Sequence, residues 1–247
     1  QQLIGTWNAD NNNRVAIDYN GLSPHLVHAL VATEDERFYE HSGIDFIALG
    51  RAVVKRGVMG QASAGGGSTI TQQLAKQLFS EKAHSTVERL LQKPIEWIIA
   101  VKLERHFTKE EILAMYFNYF DFLHNAVGVK RAANVYFDKE PRKLTVTEAA
   151  MLVGLCKNPS MFNPLRYPER CLQRRNVVLM QMVKSGYVTK AEFEELSQRP
   201  LGLHFTKSKP VSGAGDYFQA FLRQYMMAKK PERENYQAWQ NRQFVLD

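Results

Sequence analysis

The sequence predicts an all-α protein. Three observations lead there: helix-start signals recur densely along the chain, apolar residues follow each of them at helical spacing, and strand signals are few. The pairs Thr69/Gln72, Ser85/Glu88, Thr108/Glu111, Thr145/Glu148 and Thr189/Glu192 all have the S/T-x-x-E/Q spacing of a capping box. In that arrangement a hydroxyl accepts from an orphan N-terminal amide while the carboxylate or amide three residues on reaches back, so each pair marks a helix start.

Taken in order, the chain opens on a strand signal at 14–19, ahead of the turn dipeptide Asn20-Gly21, and a second strand signal covers 201–205. Between them helices are predicted at 23–36, 45–58, 69–80, 86–107, 109–119, 126–136, 146–156, 168–186 and 190–198, with one more at 215–229. Pro94 removes one hydrogen bond inside the fourth helix, which predicts a kink or a restart there. The stretch GVMGQASAGGG, 57–67, has almost no side chains to pack and reads as a mobile loop between two helices. Beyond Lys207 the text passes from KPVSGAG to the polar PERENYQAWQNRQ. The organisation expected is therefore one main domain over 1–207, followed at 208–247 by a linker or the start of another domain.

The chain has 247 residues, 45% of them hydrophobic, enough for one sizeable core. A net charge of +7 points to an anionic partner: nucleic acid, an acidic membrane surface or a phosphorylated substrate. Cys156 and Cys171 are too few for a disulfide framework or a thiolate metal cluster and read as small buried hydrophobes. No apolar run approaches the roughly 18 residues of a membrane-spanning helix. The start at Gln1 reads as an excised fragment, with any anchor or signal expected upstream.

Four constellations carry candidate chemistry. In ATEDERFYEHSGID, Glu34, Asp35 and Glu36 are consecutive and apolar Phe38 follows, an environment that favours a protonated carboxyl and so suits a general base working near neutrality. The same residues would serve as a solvated acidic helix end. In GGGSTITQQLAKQLF, a glycine-rich approach enters a capped helix whose amides and dipole favour an anion, and Thr69, Gln73 and Lys76 recur on one helical face. No G-K-S/T follows the glycines, so nucleotide binding gains no support. The alternative there is a flexible loop and an ordinary amphipathic helix.

In QKPIEW, Lys93 and Glu96 lie one turn apart at the entrance to an apolar stretch, either as site residues or simply as partners of each other. In CLQRRNVVLMQM, Arg174 and Arg175 sit among apolar positions, where solvated or helix-packing arginines are the ordinary reading.

Together EDERFYEHSG, GGSTITQQLAK, QKPIE, KEEILAMYFN and RRNVVL resemble, in order, the five motifs of the family 51 glycosyltransferases, the peptidoglycan polymerases of bifunctional (class A) penicillin-binding proteins. GVKRAANVYFDK and LTVTEAAMLVGLCKNP are similar to that family too. The resemblance implies a lysozyme-like helical head lobe with a smaller, membrane-facing jaw lobe. It implies polymerisation of lipid II into glycan strands by inverting transfer, with release of lipid diphosphate. By the same resemblance Glu34 is the general base, and Glu96 is a second essential carboxylate that orients groups or helps hold a divalent cation, Mg or Mn, near the donor pyrophosphate. Lys76, Lys93 and Arg174 fall on basic positions that contact the diphosphate or the antibiotic moenomycin, and Ser68, Thr69, Gln73 and Asn118 on polar motif positions. Two departures stand out: Gln92-Lys93 replaces the usual arginine-lysine, and FDFLHNAVG replaces a glycine-rich stretch after the fourth motif.

The partners implied are lipid II, the growing strand, a membrane surface and other cell-wall synthesis proteins, at the periplasmic or extracytoplasmic face of the inner membrane. A lysozyme-like glycosidase or lytic transglycosylase would also use a glutamate in a helical fold, but must protonate a poor leaving group and needs no basic diphosphate cradle. A non-catalytic binder of anionic membrane would share only the charge. No zinc spacing, RNA-binding aromatic motif or recognition helix supports nucleic acid. The segment 45–58, with Phe46, Ile47, Leu49, Val53 and Val54 beside Arg51, Lys55 and Arg56, is either a bilayer-surface helix or a packed amphipathic one.

Overall fold

The computed structural model describes residues 15–57, 67–79 and 86–206, all within a unit that spans Arg14–Ser208. The Ser85/Glu88 cap, the helix at 215–229, the segment 208–247 and the interior of the loop at 57–67 lie outside the described residues. The described elements are α1 (Pro24–Glu34), α2 (Phe46–Gly57), α3 (Ile70–Phe79), α4 (Thr86–His106), α5 (Lys109–Tyr119), α6 (Val129–Phe137), α7 (Val146–Lys157), α8 (Pro168–Lys184) and α9 (Lys190–Gln198), with single 3₁₀ turns at Tyr19–Gly21 and Pro141–Lys143.

Among the described residues no strand forms. Residues 15–18 of the 14–19 signal are irregular backbone and Tyr19 already enters a 3₁₀ turn; the segment is tied to α5, where Asn118 accepts from Ile17 N at 3.1 Å and donates to Ile17 O at 2.8 Å. The 201–205 segment is irregular, with Gly202 at φ +65°, and His204 and Thr206 donate to the carbonyls of Tyr136 and Val135 at 2.9 Å each. Both segments satisfy their backbone against a helix because no neighbouring strand exists to pair with them.

α7 is the hub. Thr145 and Glu148 form its capping box, and Glu148 to Cys156 are buried without interruption, the pattern of a helix packed on all sides. α1 and α8 lie against it. Ser23 starts α1 by accepting from His25 N and ties the helix to the chain before α7 by donating to Leu144 O at 3.1 Å. α8 buries Cys171, Arg175, Val178, Leu179 and Met182, one stripe at helical spacing. Capping boxes also close at Thr108/Glu111 and Thr189/Glu192, and both glutamates are held below their ordinary range by their bonds to the threonine.

α4 runs through Pro94 as one helix, without a restart. α6 starts at Val129 rather than at 126, because the chain must first turn back: Leu123, His124 and Asn125 all have positive φ (68°, 53°, 61°) and Asp121 bridges Val127. This left-handed run is the structure of the FDFLHNAVG departure. Non-glycine residues carry conformations that glycine would adopt at less cost, and Tyr136 holds the turn by donating to Phe122 O at 2.6 Å.

Candidate active site

α1 ends where two adjacent acids part. Glu34 is the last helical residue and Asp35 has left the helix with φ −159°, so their side chains diverge. Asp35 turns inward and is 8% exposed. It accepts from the ring of His41 at 3.0 Å and from the amide of Ile70, the first residue of α3, also at 3.0 Å. A carboxylate only accepts, so His41 presents a protonated Nε2 to it. Asp35 is thus the residue that docks α3 against the end of α1.

This changes the reading of the α3 start. Its amides were expected to face an anion, but Ile70 N is taken by Asp35 and Gln72 N by Thr69 Oγ1 at 3.1 Å. Thr69 is buried and its hydroxyl donates to Gly43 O at 2.7 Å, with the Gln72 amide donating to the same oxygen at 3.3 Å. The Thr69/Gln72 pair is therefore half a capping box, since Gln72 reaches to Gly43 instead of back to Thr69. Gly43 in turn has φ +93° and lies against α4, where an added Cβ would sit 2.8 Å from the carbonyl carbon of Ala100.

Glu34 turns the other way, its side chain 19% exposed. Gln73, one turn into α3, donates to its Oε2 at 3.1 Å, and Arg174 from α8 reaches its Oε1 at 3.5 Å. Arg174 gets there by crossing α7 at Gly154, where a Cβ would come within 3.2 Å of its Cγ. Its guanidinium lies over Phe162, and burial lowers its pKa while Glu34 and Cys156 oppose that shift. Behind this group Tyr116 donates to Gln73 Oε1 at 3.1 Å. Burial holds the Tyr116 hydroxyl well above its ordinary range, and does the same to the Cys156 thiol, with Glu34 adding to both. Cys156 and Cys171 are free and buried.

The second carboxylate belongs to α4. Glu96 is 4% exposed and accepts from Lys93 at 2.7 Å, while the same ammonium donates to Ser68 Oγ at 3.2 Å, just ahead of α3. Lys93 and Glu96 are thus partners of each other, and Lys93 also bridges to the glycine-serine segment at Ser68. α3 is the common spine: its entrance meets Lys93 and Glu96, and its second turn meets Glu34. Lys76 is exposed on the last turn of α3.

Two sequence-predicted features fall elsewhere. Asn118 gives both ends of its amide to Ile17. Arg175, beside Arg174, is 0% exposed and donates to the carbonyls of Leu196, Ser197, Arg199 and Pro200 at 2.7–3.3 Å. It is neither solvated nor at the site; it collects the orphan carbonyls at the end of α9.

Around the Asp35 loop a further network forms. Lys109 donates to His41 O at 2.7 Å and to Glu104 at 2.8 Å, and lies 4.3 Å from the centroid of the Phe38 ring. Glu104 also accepts from Thr71 at 2.6 Å. Asp35 and His41 stand in the motif EDERFYEHSG and Lys109 in KEEILAMYFN with no supporting role read for them, and Glu104 lies outside the five motifs. The signal available was adjacency of Glu34 and Asp35 at a helix end, which forces the two to opposite sides.

The family model described as "Transglycosylase" matches residues 1–183. Penicillin-binding protein 1A of Aquifex aeolicus is 40% identical over 94% of this chain and 30% of its own length. Penicillin-binding protein 1F of Bacillus subtilis is 38% identical over 86% of this chain and 29% of its own, and penicillin-binding protein 1A of Escherichia coli 38% over 86% and 24%. The chain thus spans less than a third of the length of these relatives. A crystal structure of penicillin-binding protein 1A from Haemophilus influenzae aligns at 28% identity and a TM-score of 0.41, over 68% of this chain and 21% of that one.

Proposed function

This chain belongs to the transglycosylase family, and from that premise we propose that it polymerises lipid II into peptidoglycan strands, with inversion at the anomeric carbon and release of lipid diphosphate. The observation that carries the mechanism is the division of the two adjacent acids. Asp35 is committed to His41 and α3, whereas Glu34 keeps a partly open carboxylate between an amide and a guanidinium. The acceptor's 4-hydroxyl is weakly acidic and must lose its proton as the bond forms. Glu34, its side chain partly exposed, is the carboxylate that takes it on this reading. Arg174 and Gln73 orient the carboxylate and face the same space.

The leaving diphosphate needs positive charge more than an acid. Lys93, fixed by Glu96 and Ser68, supplies it at the entrance of α3, with Lys76 and Arg174 as further cations. Among the described residues no group of three His, Cys, Asp or Glu side chains is placed to hold a metal ion. Mg²⁺ is commonly bound by one or two carboxylates with phosphate oxygens and water completing its shell. Glu96 has its Oε2 taken by Lys93 at 2.7 Å and so would offer a cation its other oxygen, with diphosphate oxygens and water completing the shell and the cation adding charge neutralisation at the leaving group.

Membrane contact belongs to the proposal as well. No described helix is long and apolar enough to cross a membrane. α2 nevertheless exposes Phe46 (71%), Ile47 (58%) and Val54 (56%) beside exposed Arg51, and an interfacial helix combines such features. Work at the extracytoplasmic face of the membrane that carries lipid II, alongside other cell-wall synthesis proteins, follows from the same reading.

Incubation with fluorescent lipid II, with products resolved by length, tests it. A ladder of strands that moenomycin suppresses is expected. Cleavage of preformed strands without polymerisation would establish the lytic alternative instead.

A further inference from the structure

We infer that Tyr116 is a positioning residue for the reaction: its hydroxyl fixes the Gln73 amide, and through that amide the Glu34 carboxylate. The inference rests on Glu34 being the base.

The direction of the relay follows from hydrogen-bond inventory. A carboxylate has no donor, so Gln73 must turn its NH₂ toward Glu34 Oε2, 3.1 Å away. Its carbonyl then faces Tyr116, which must donate across 3.1 Å. The opposite amide orientation would aim a carbonyl at the carboxylate. Tyr116 is 0% exposed, so no bulk water can replace its hydroxyl. The thiol beside it, Cys156, gives its own hydrogen to Leu152 O at 3.6 Å, and its sulfur is a much weaker acceptor for the phenol hydrogen than the carbonyl oxygen of Gln73. The ring is held by Phe117, edge-on at 5.7 Å, and by Phe120, stacked at 6.1 Å.

Each member comes from a different helix, α5, α3 and α1, so the relay registers the three at the reacting group. Arg174 approaches the other oxygen of Glu34 at 3.5 Å, too long to set its angle by itself. The shorter contact through Gln73 therefore decides where the lone pair of Glu34 points. Because Tyr116 never meets substrate, its removal should misalign the base and leave binding alone.

Tyr116→Phe keeps the ring and deletes the hydroxyl. The expected result with lipid II is a fall in kcat of about tenfold, the effect of one lost orienting hydrogen bond, with KM within about twofold of the parent. In a Gln73→Met background Tyr116→Phe should lower kcat no further, since the relay is already broken. An unchanged kcat, a loss carried by KM, or full additivity of the two changes would each overturn the inference. Should Tyr116→Phe not fold, Gln73→Met carries the test alone, and a kcat within about twofold of the parent overturns it. Glu34→Gln is the control that separates the two levels. If it keeps turnover, the base assignment fails; if it is inactive while Tyr116→Phe turns over normally, only the relay fails.

Discussion

The end of α1 and the first half of α4 each present a glutamate, and they treat it oppositely. Glu34 is partly open and meets its partners at 3.1 and 3.5 Å; Glu96 is buried and closed onto an ammonium at 2.7 Å. A close ion pair on a buried carboxylate fixes charge in place, which serves electrostatic stabilisation. A carboxylate with longer, weaker contacts keeps a lone pair available for a proton. In the proposed mechanism these two environments keep proton transfer apart from charge neutralisation.

The sharpest way to break that contrast is to neutralise each glutamate. Glu34→Gln should lower lipid II polymerisation by about 10³-fold or more while moenomycin binding persists, measured by strand formation and by ligand titration. Glu96→Gln should cost about 10²-fold and also weaken diphosphate binding, because Lys93 loses the partner that aims it. If the two variants show the same pattern, the division of labour is wrong. Gly43→Ala attacks both regions at once, since Gly43 O holds Thr69 and Gln72 while its Cα abuts α4. The positive φ and the 2.8 Å approach predict a loss of about 1–3 kcal/mol in urea unfolding.

Arg174→Ala and Lys76→Ala should each lose about 1–3 kcal/mol of affinity for diphosphate ligands and little for the sugar alone, read by calorimetry. The smallest effect distinguishes α1 from α4 by pH. Burial and His25 lower the pKa of His28 on α1, so its neutral form is favoured in the fold. That stability is full above the ordinary histidine range and declines as pH falls through the lowered folded value. His28→Gln should flatten this part of the stability profile.

The helices were legible because their signals are local. Thr108/Glu111, Thr145/Glu148 and Thr189/Glu192 close as boxes, and a box needs only residues three apart. Thr69/Gln72 did not close because Gly43 O, 29 residues from Gln72, competes for the amide. The site shows the same limit. Glu34, Gln73, Lys93, Glu96 and Arg174 could be selected by motif, but nothing local says that Arg174 crosses at Gly154 while Arg175 turns away to α9, or that Asn118 holds Ile17. Those outcomes depend on contacts between residues up to 101 positions apart, and the approach of Arg174 to Glu34 spans 140.

Arg175 also gives the unit a mechanical character. Tension applied at Thr206 is first borne by the two hydrogen bonds of His204 and Thr206 to the end of α6. Past them it reaches the carbonyls of Leu196 to Pro200, which converge on a single guanidinium rooted in α8. The next residue along that helix is Arg174, against Glu34. A pull on the distal segment is thus delivered one residue from Arg174, so the contact of that guanidinium with Glu34 stands at the end of a load path that begins at Thr206.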